Sequence, residues 1–263
     1  MLVREAGLDP ANALRTPRVS SRPSPRSAVV DVGSGTGIMT RAILLALPAS
    51  APATAAPELP AAGAGDAPGV RVFAVEPNRA MRAAAEEASA GDPRFVSVDG
   101  SAEATGLPGD IADLVVVAQA FHWFDPVKTR AEFARIAKEG AVVALVWNER
   151  KDTPLNRDYE AMLEELAPDY AAVRAPQREN EGAIRAFFAG ARAGAAVTRT
   201  VFANEQRLDR DGLRGRLLSS SYCPPEGEPG HLEIMNRVDT TFRAYEKNGE
   251  VTLPYDTVAW TGR

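Results

Sequence analysis

The chain has a single cysteine, Cys223, so no intrachain disulfide can form. It has two histidines, His122 and His231. No cysteine–histidine cluster offers a structural zinc site, and no metal is expected. No apolar run approaches the ~20 residues that cross a bilayer, so no membrane partner is expected. A basic surplus is also missing. The formal net charge is -5, which gives no overall field for gripping phosphate backbones and weighs against nucleic acid as a partner. At 263 residues, 45% hydrophobic and 25% charged, the composition suits one large α/β domain with embellishments. A cytoplasmic location is expected. Nothing in the composition sets the oligomeric state.

Proline is unevenly spread. Pro10, Pro17, Pro23 and Pro25 stand among serines and arginines, and residues 1–27 are expected to form a disordered or extended tail. Five arginines against two acids (Glu5, Asp9) in the first 30 residues weakly resemble an organellar transit peptide. The four prolines oppose the amphipathic helix that such a peptide needs. A second biased stretch covers residues 48–69. It is almost all Ala, Pro and Gly, with Glu58 and Asp66 as its only charges. It reads as a low-complexity insertion forming a surface loop.

The informative stretch is Val29-Val-Asp-Val-Gly-Ser-Gly-Thr-Gly37. An apolar strand (28–32) carries an acid, Asp31, then breaks into glycines at 33, 35 and 37, and a helix (about 37–47) follows. Glycine has no Cβ, so the backbone can turn sharply there and press against a ligand. The dinucleotide fingerprint needs glycine at position 38, where Ile38 stands, so a nicotinamide-dependent oxidoreductase is disfavoured. An acid before the glycines suits a ligand with ammonium and sulfonium groups better than a pyrophosphate.

This string resembles motif I of the class I S-adenosylmethionine (SAM)-dependent methyltransferases. The resemblance implies SAM as cofactor, with Asp31, Gly33, Ser34, Gly35 and Gly37 among its contacts. It also implies an α/β, doubly wound, Rossmann-like sheet of seven strands, mostly parallel, with an antiparallel C-terminal hairpin.

The rest of the chain alternates strand and helix as such a sheet requires. Strand two, Val70–Val75, ends at Glu76. Gly33 and Glu76 lie 43 positions apart, or 21 once the 22 inserted residues are set aside, close to the usual spacing of a ribose-binding acid. Glu76 can then accept both ribose hydroxyls, with Pro77 beside it. A helix at 79–90 and a strand at about 94–98 lead to Asp99-Gly-Ser-Ala-Glu103. In the family an acid here meets the adenine amine, so Asp99 or Ser101, or the backbone around Ala102, is expected to make that contact. Strand four, Asp113–Ala118, is continuously apolar, as a strand buried on both faces should be. A helix (127–138), a Glu139-Gly140 turn and strand five (141–147) follow. Residues 154–172, 209–220 and 228–247 read as helices, and 196–208 and 251–260 as the late strands. The methyltransferase domain is taken as 28–263, with acceptor-pocket elements at about 151–250.

Strand four runs into Gln119-Ala-Phe-His-Trp-Phe-Asp125. Ligands of open α/β sheets sit beyond the carboxyl ends of the strands. Aromatic faces attract cations, so Phe121, Trp123 or Phe124 can face a sulfonium or shape an acceptor pocket. His122 is a candidate general base, or a packed histidine bonded only to backbone. Gln119 is a candidate for both cofactor binding and catalysis. The wording of this segment is similar to trans-aconitate methyltransferase-like proteins, a small-molecule subgroup. So are Asn148-Glu-Arg150, Ser219–Pro224 and Leu253–Thr257. The resemblance implies a small-molecule acceptor, with a carboxylate as one option. Trp147, Arg150 and Tyr222 are then candidate acceptor contacts, with Arg150 also readable as an ordinary ion pair. Relatives carry a helical N-terminal lid with a Tyr/Arg-Pro-x-Tyr-Pro motif, and only Arg22-Pro-Ser-Pro25 echoes it here. The alternative reading is therefore a noncatalytic SAM-binding or degraded methyltransferase-like protein without a lid.

Overall fold

The computed structural model describes residues 26–47, 69–171, 180–190, 197–220 and 222–263. The tail expected at 1–27 and the insertion expected at 48–69 lie outside these residues, apart from Arg26, Ser27 and Gly69. Gly69 opens a strand and is not loop.

Strands β1 (Arg26–Val32), β2 (Gly69–Val75), β3 (Phe95–Val98), β4 (Ala112–Ala118) and β5 (Ala137–Arg150) alternate with helices α1 (Ile38–Ala46), α2 (Arg79–Ala88) and α3 (Pro126–Ile136). Helices α4 (Pro154–Leu166) and α5 (Asn180–Ala189) precede β6 (Thr198–Leu208). Helices α6 (Arg210–Leu218) and α7 (His231–Tyr245) precede β7 (Val251–Gly262). The sheet order is β3-β2-β1-β4-β5-β7-β6. The first five strands pair in parallel, and the C-terminal pair is antiparallel. β6 and β7 are neighbours, yet α6 and α7 separate them in sequence, so no tight hairpin turn joins them. The order runs outward in opposite directions from β1 and β4. Ligands bind at such a switch point, beyond the carboxyl ends of these two strands.

The chain divides into two compact units. The first takes its described residues from 26–147, 182–201 and 258–263. Its core joins Val30 and Val32 of β1, Phe73 and Val75 of β2, Val115 and Val117 of β4 and Leu145 of β5. Phe187 and Phe188 of α5 and Trp260 of β7 complete it. Helix α5 was not marked in the sequence reading, although Ile184, Phe187 and Phe188 have helical spacing.

One boundary differs for a visible reason. Helix α3 stops at Ile136, not Lys138. The amides of Asp110 and Ile111 take its last carbonyls, those of Arg135 and Ile136, at 3.1 and 2.8 Å. The chain then enters β5 at once. Glu139-Gly140 is not a turn before the strand but part of it. The pairing jumps from Ala112–Ala137 to Leu114–Val142, and Gly140 takes the left-handed φ of 78° in this irregular stretch.

The second unit comprises described residues of 148–181 and 202–257. Leu155, Tyr159, Met162 and Leu163 form one face of α4, and Ile234, Val238 and Phe242 one face of α7. Leu213, Leu217, Leu253 and Tyr255 join them in one cluster. Two of the unit's helix starts carry side-chain caps. Thr153 caps α4 ahead of Pro154, and the Asp209 carboxylate accepts from the Gly212 amide at 2.7 Å to cap α6. Asp239 of α7 is buried and neutralised by Arg210 and Arg214. Helix α4 is shorter than the expected 154–172, ending at Leu166. No described helix is long and apolar enough to cross a membrane.

Candidate functional site

The first unit gathers the candidate cofactor residues around the glycine turn. The amides of Gly33 and Ser34 both donate to the Val75 carbonyl, at 2.9 and 3.1 Å, which pins the turn to the end of β2. The glycines have different jobs. At Gly33 (φ 70°) a Cβ would stand 2.7 Å from that of Ala120, so this position is small because β4's exit loop lies against it. At Gly35 (φ 56°) an added Cβ would meet nothing within 4 Å. Its backbone is therefore bare on the outside, held by its own amide donating to Glu76 Oε2 at 2.9 Å.

Two buried carboxylates flank the turn. Asp31 is fully buried, and its Oδ2 accepts from Thr40 Oγ1 at 2.6 Å. Its Oδ1 has no hydrogen-bond partner. Burial, with a further push from the charge of Glu76, raises its pKa to about 6. Glu76 accepts from Gly35 through one oxygen and from the Asn78 amide through the other, at 2.9 Å. Each oxygen keeps a lone pair for a ligand hydroxyl. Ser34 is buried, and its hydroxyl has no partner either. Thr40 escaped the sequence reading. The signal was its place in the first turn of α1, nine residues after Asp31.

Around the expected adenine side the sequence candidates separate. The Asp99 side chain is 73% exposed and ion-paired with Arg82 at 2.9 Å. Arg82 also donates to the carbonyls of Glu76 and Pro77 at 2.8 and 3.1 Å. Pro77 itself is exposed. Ser101 hydrogen-bonds Glu103. The Ala102 side chain belongs to the hydrophobic core, which leaves its backbone for a ligand. Glu103, to which the sequence assigns no role, accepts from the Asp125 amide at 2.9 Å and so ties this loop to the one after β4.

The loop after β4 begins with Gln119 in the left-handed region at φ 59°. A residue other than glycine adopts that backbone at a cost, commonly at ligand sites. The Gln119 amide donates to the Val146 carbonyl at 2.9 Å, which fixes the bend, while the residue itself is exposed. A short 3-10 turn, Phe121–Trp123, follows. Phe121 is a correction. It is buried and meets Trp147, Phe187 and Phe124 edge to face, so it is core and not pocket wall. Trp147 is buried in the same cluster, and its indole nitrogen has no partner. Trp123 is 70% exposed, with its ring 4.8 Å from that of His122. His122 is half-buried and its Nδ1 is buried without a partner. Burial lowers its pKa, so the imidazole is neutral near pH 7. It does not bond the backbone, which was the plain alternative for it. Asp125 caps α3 through the amides of Val127 and Lys128.

Arg150 and Tyr222 belong to the second unit. Arg150 donates to the Tyr170 hydroxyl at 2.9 Å, and Tyr222 packs on Tyr170 with ring centroids 5.0 Å apart. Arg150 is thus not in an ordinary ion pair.

Comparison with known proteins agrees with this fold. The seven-stranded sheet matches Rossmann-like methyltransferase structures. A candidate type II methyltransferase from Anaeromyxobacter dehalogenans superposes with a TM-score of 0.56 at 22% identity, covering 90% of this chain and 88% of that one. The plantazolicin methyltransferase, solved in complex with SAH, superposes at 0.50 with 10% identity, covering 100% and 83%. The sequence model of a methyltransferase domain matches residues 55–145, a span that takes in Glu76 and the loop after β4. An uncharacterized methyltransferase of Mycobacterium tuberculosis is 31% identical over 130 residues, which are 49% of this chain and 43% of that protein. The chain thus spans under half the length of that relative.

Proposed function

We propose that the protein is a SAM-dependent methyltransferase acting on a small-molecule acceptor. One observation carries this reading. Two buried polar atoms, Asp31 Oδ1 and Ser34 Oγ, have no protein partner, and they stand beside a glycine backbone that is bare on its outer side. Burying an unpaired polar atom costs about 1–3 kcal/mol, so such a set makes sense as a ligand cradle. The donor set fits the cofactor. Asp31 would hold the ammonium end, Gly35 and Ser34 the main chain around it, Glu76 the ribose hydroxyls, and the 99–103 loop the adenine. When bound, SAM supplies a methyl carbon already activated by a sulfonium. The chain's own work is then alignment and exclusion of water, which can supply roughly 7–11 kcal/mol. Gln119, fixed by its strained backbone, would orient groups at the mouth of the cradle. Trp123 would offer an aromatic face to a cation. For a hydroxyl or amine acceptor, neutral His122 would take the proton. A carboxylate acceptor needs no base. The small acceptor is supported by the likeness of residues 119–125 to trans-aconitate methyltransferase-like proteins. The test is to incubate purified protein with methyl-labelled SAM and a metabolite extract. Label in a small-molecule fraction is expected. Tight SAM binding with no transfer would leave the noncatalytic reading.

A further inference from the structure

The second unit holds a cluster that the cofactor cradle does not use. Arg150 at the end of β5 and Arg216 in α6 are both half-buried. Arg150 lies over the Tyr159 ring at 5.4 Å and donates to Tyr170. Arg216 lies over the Tyr255 ring at 5.4 Å and donates to Gln206 Oε1 at 2.7 Å. Tyr222 closes the group through Tyr170.

The two guanidiniums stand out within their unit. Arg157, Arg207, Arg210, Arg214 and Arg237 each pair with a carboxylate. Of the other described arginines of this unit, Arg243 is exposed and donates to Thr240, while the half-buried Arg150 and Arg216 have no carboxylate partner among the described residues. Each has five N–H donors and places one in a hydrogen bond. Holding a cation away from water without an anion costs free energy. The neighbouring acids turn to a tyrosine instead: Glu160 accepts from the Tyr170 hydroxyl at 3.2 Å, and Glu164 also influences Tyr170.

A second observation points the same way. Tyr255 is 3% exposed, and its hydroxyl is buried without any partner. It lies within electrostatic reach of both Arg150 and Tyr159. Tyr159 is itself 1% exposed, and burial pushes its hydroxyl above the ordinary tyrosine range, so it stays a protonated donor. An unpaired phenol and two unpaired guanidiniums, set among aromatic rings, describe a receptor for an anion with an apolar body.

We infer that Arg150, Arg216 and Tyr255 bind the carboxylate of a small organic acid within this second unit. Guanidinium forks match the planar carboxylate, and the tyrosine rings bury the carbon skeleton. That this acid is also the methyl acceptor rests on the function proposed above; its binding here does not.

Calorimetry on the full chain tests the site, with succinate, citrate and phenylacetate as probes. Each is run against its methyl ester, with inorganic phosphate as a separate arm. At least one acid is expected to bind at least tenfold more tightly than its ester. Arg150→Gln and Arg216→Gln should each weaken that acid tenfold or more. Tyr255→Phe should weaken it severalfold while leaving the melting temperature unchanged or higher, since it removes an unsatisfied hydroxyl. This variant keeps the test valid if an arginine variant fails to fold. Saturation by phosphate alone, equal binding of acid and ester, or no binding by protein with a cooperative melting transition would each overturn the inference, as would unaltered acid binding in Tyr255→Phe. SAM titrated into the same samples separates the two claims. SAM binding without acid binding defeats this site only. Acid binding without SAM binding defeats the cofactor reading only.

Discussion

At the scale of single residues, the account turns on Asp31. Burial holds its carboxyl up in the fold, at about 6, above the ordinary aspartate value of about 4. The native state therefore keeps a proton that the unfolded chain loses between about pH 4 and 6. Stability from this group declines as pH rises through that window, and above it the fold carries a buried charge. A shift of about two units corresponds to at most about 3 kcal/mol. Asp31→Asn keeps an acceptor for Thr40, so urea unfolding is expected to show it equal to the parent near pH 4 and more stable above pH 6. Its SAM affinity should nonetheless fall tenfold or more. The parent's affinity should tighten between pH 5 and 7, and the variant's should not. His122 makes a second residue-level prediction. If the acceptor is a carboxylate, His122→Asn should slow turnover less than tenfold and evenly across pH. A deficit of 10²-fold or more that opens toward neutral pH would mark His122 as a base and the acceptor as a hydroxyl or amine. Asp31 was legible because an acid before spaced glycines is a linear pattern. The Tyr255 cluster was not, because residues from 150 to 255 meet only in the folded chain.

At the scale of elements, the turn between β1 and α1 separates packing from binding. Gly33→Ala combines a left-handed backbone with a Cβ 2.7 Å from Ala120, so it should cost the fold about 2–4 kcal/mol in urea unfolding. Gly35→Ala meets no neighbour and should cost only about 1–2 kcal/mol, for its backbone alone. The order should reverse in a SAM titration of the folded fractions, with Gly35→Ala the weaker binder. All three glycines were readable as a turn, but which one faces a ligand depends on where β4's exit loop packs. The same holds for the aromatic segment. Its position after β4 followed from pattern, while the inward placing of Phe121 and the outward placing of Trp123 depend on α5, whose Phe187 fills the space beside Phe121. The helix α3 boundary failed for a similar reason, since Asp110 and Ile111 supply amides that no local pattern announces.

At the scale of the molecule, the parallel half of the sheet was legible because its strands centre on apolar runs and α2 and α3 start on the capping residues Asn78 and Asp125. The spacing argument treats 48–69 as an addition to a βα unit of ordinary size, although Gly69 itself opens β2. Replacing 48–68 with a short glycine–serine link should therefore leave the melting transition cooperative and SAM affinity within about twofold, as differential scanning calorimetry and titration would show. The central claim is that the glycine turn, Asp31 and Glu76 form a SAM cradle. Its most direct measurement is isothermal calorimetry of SAM against the folded protein at pH 7.5, with NADH as control. Saturable one-to-one binding of SAM, no binding of NADH, and a tenfold or greater loss in Asp31→Asn are expected. No heat with SAM, or equal affinity in the variant, would contradict the account.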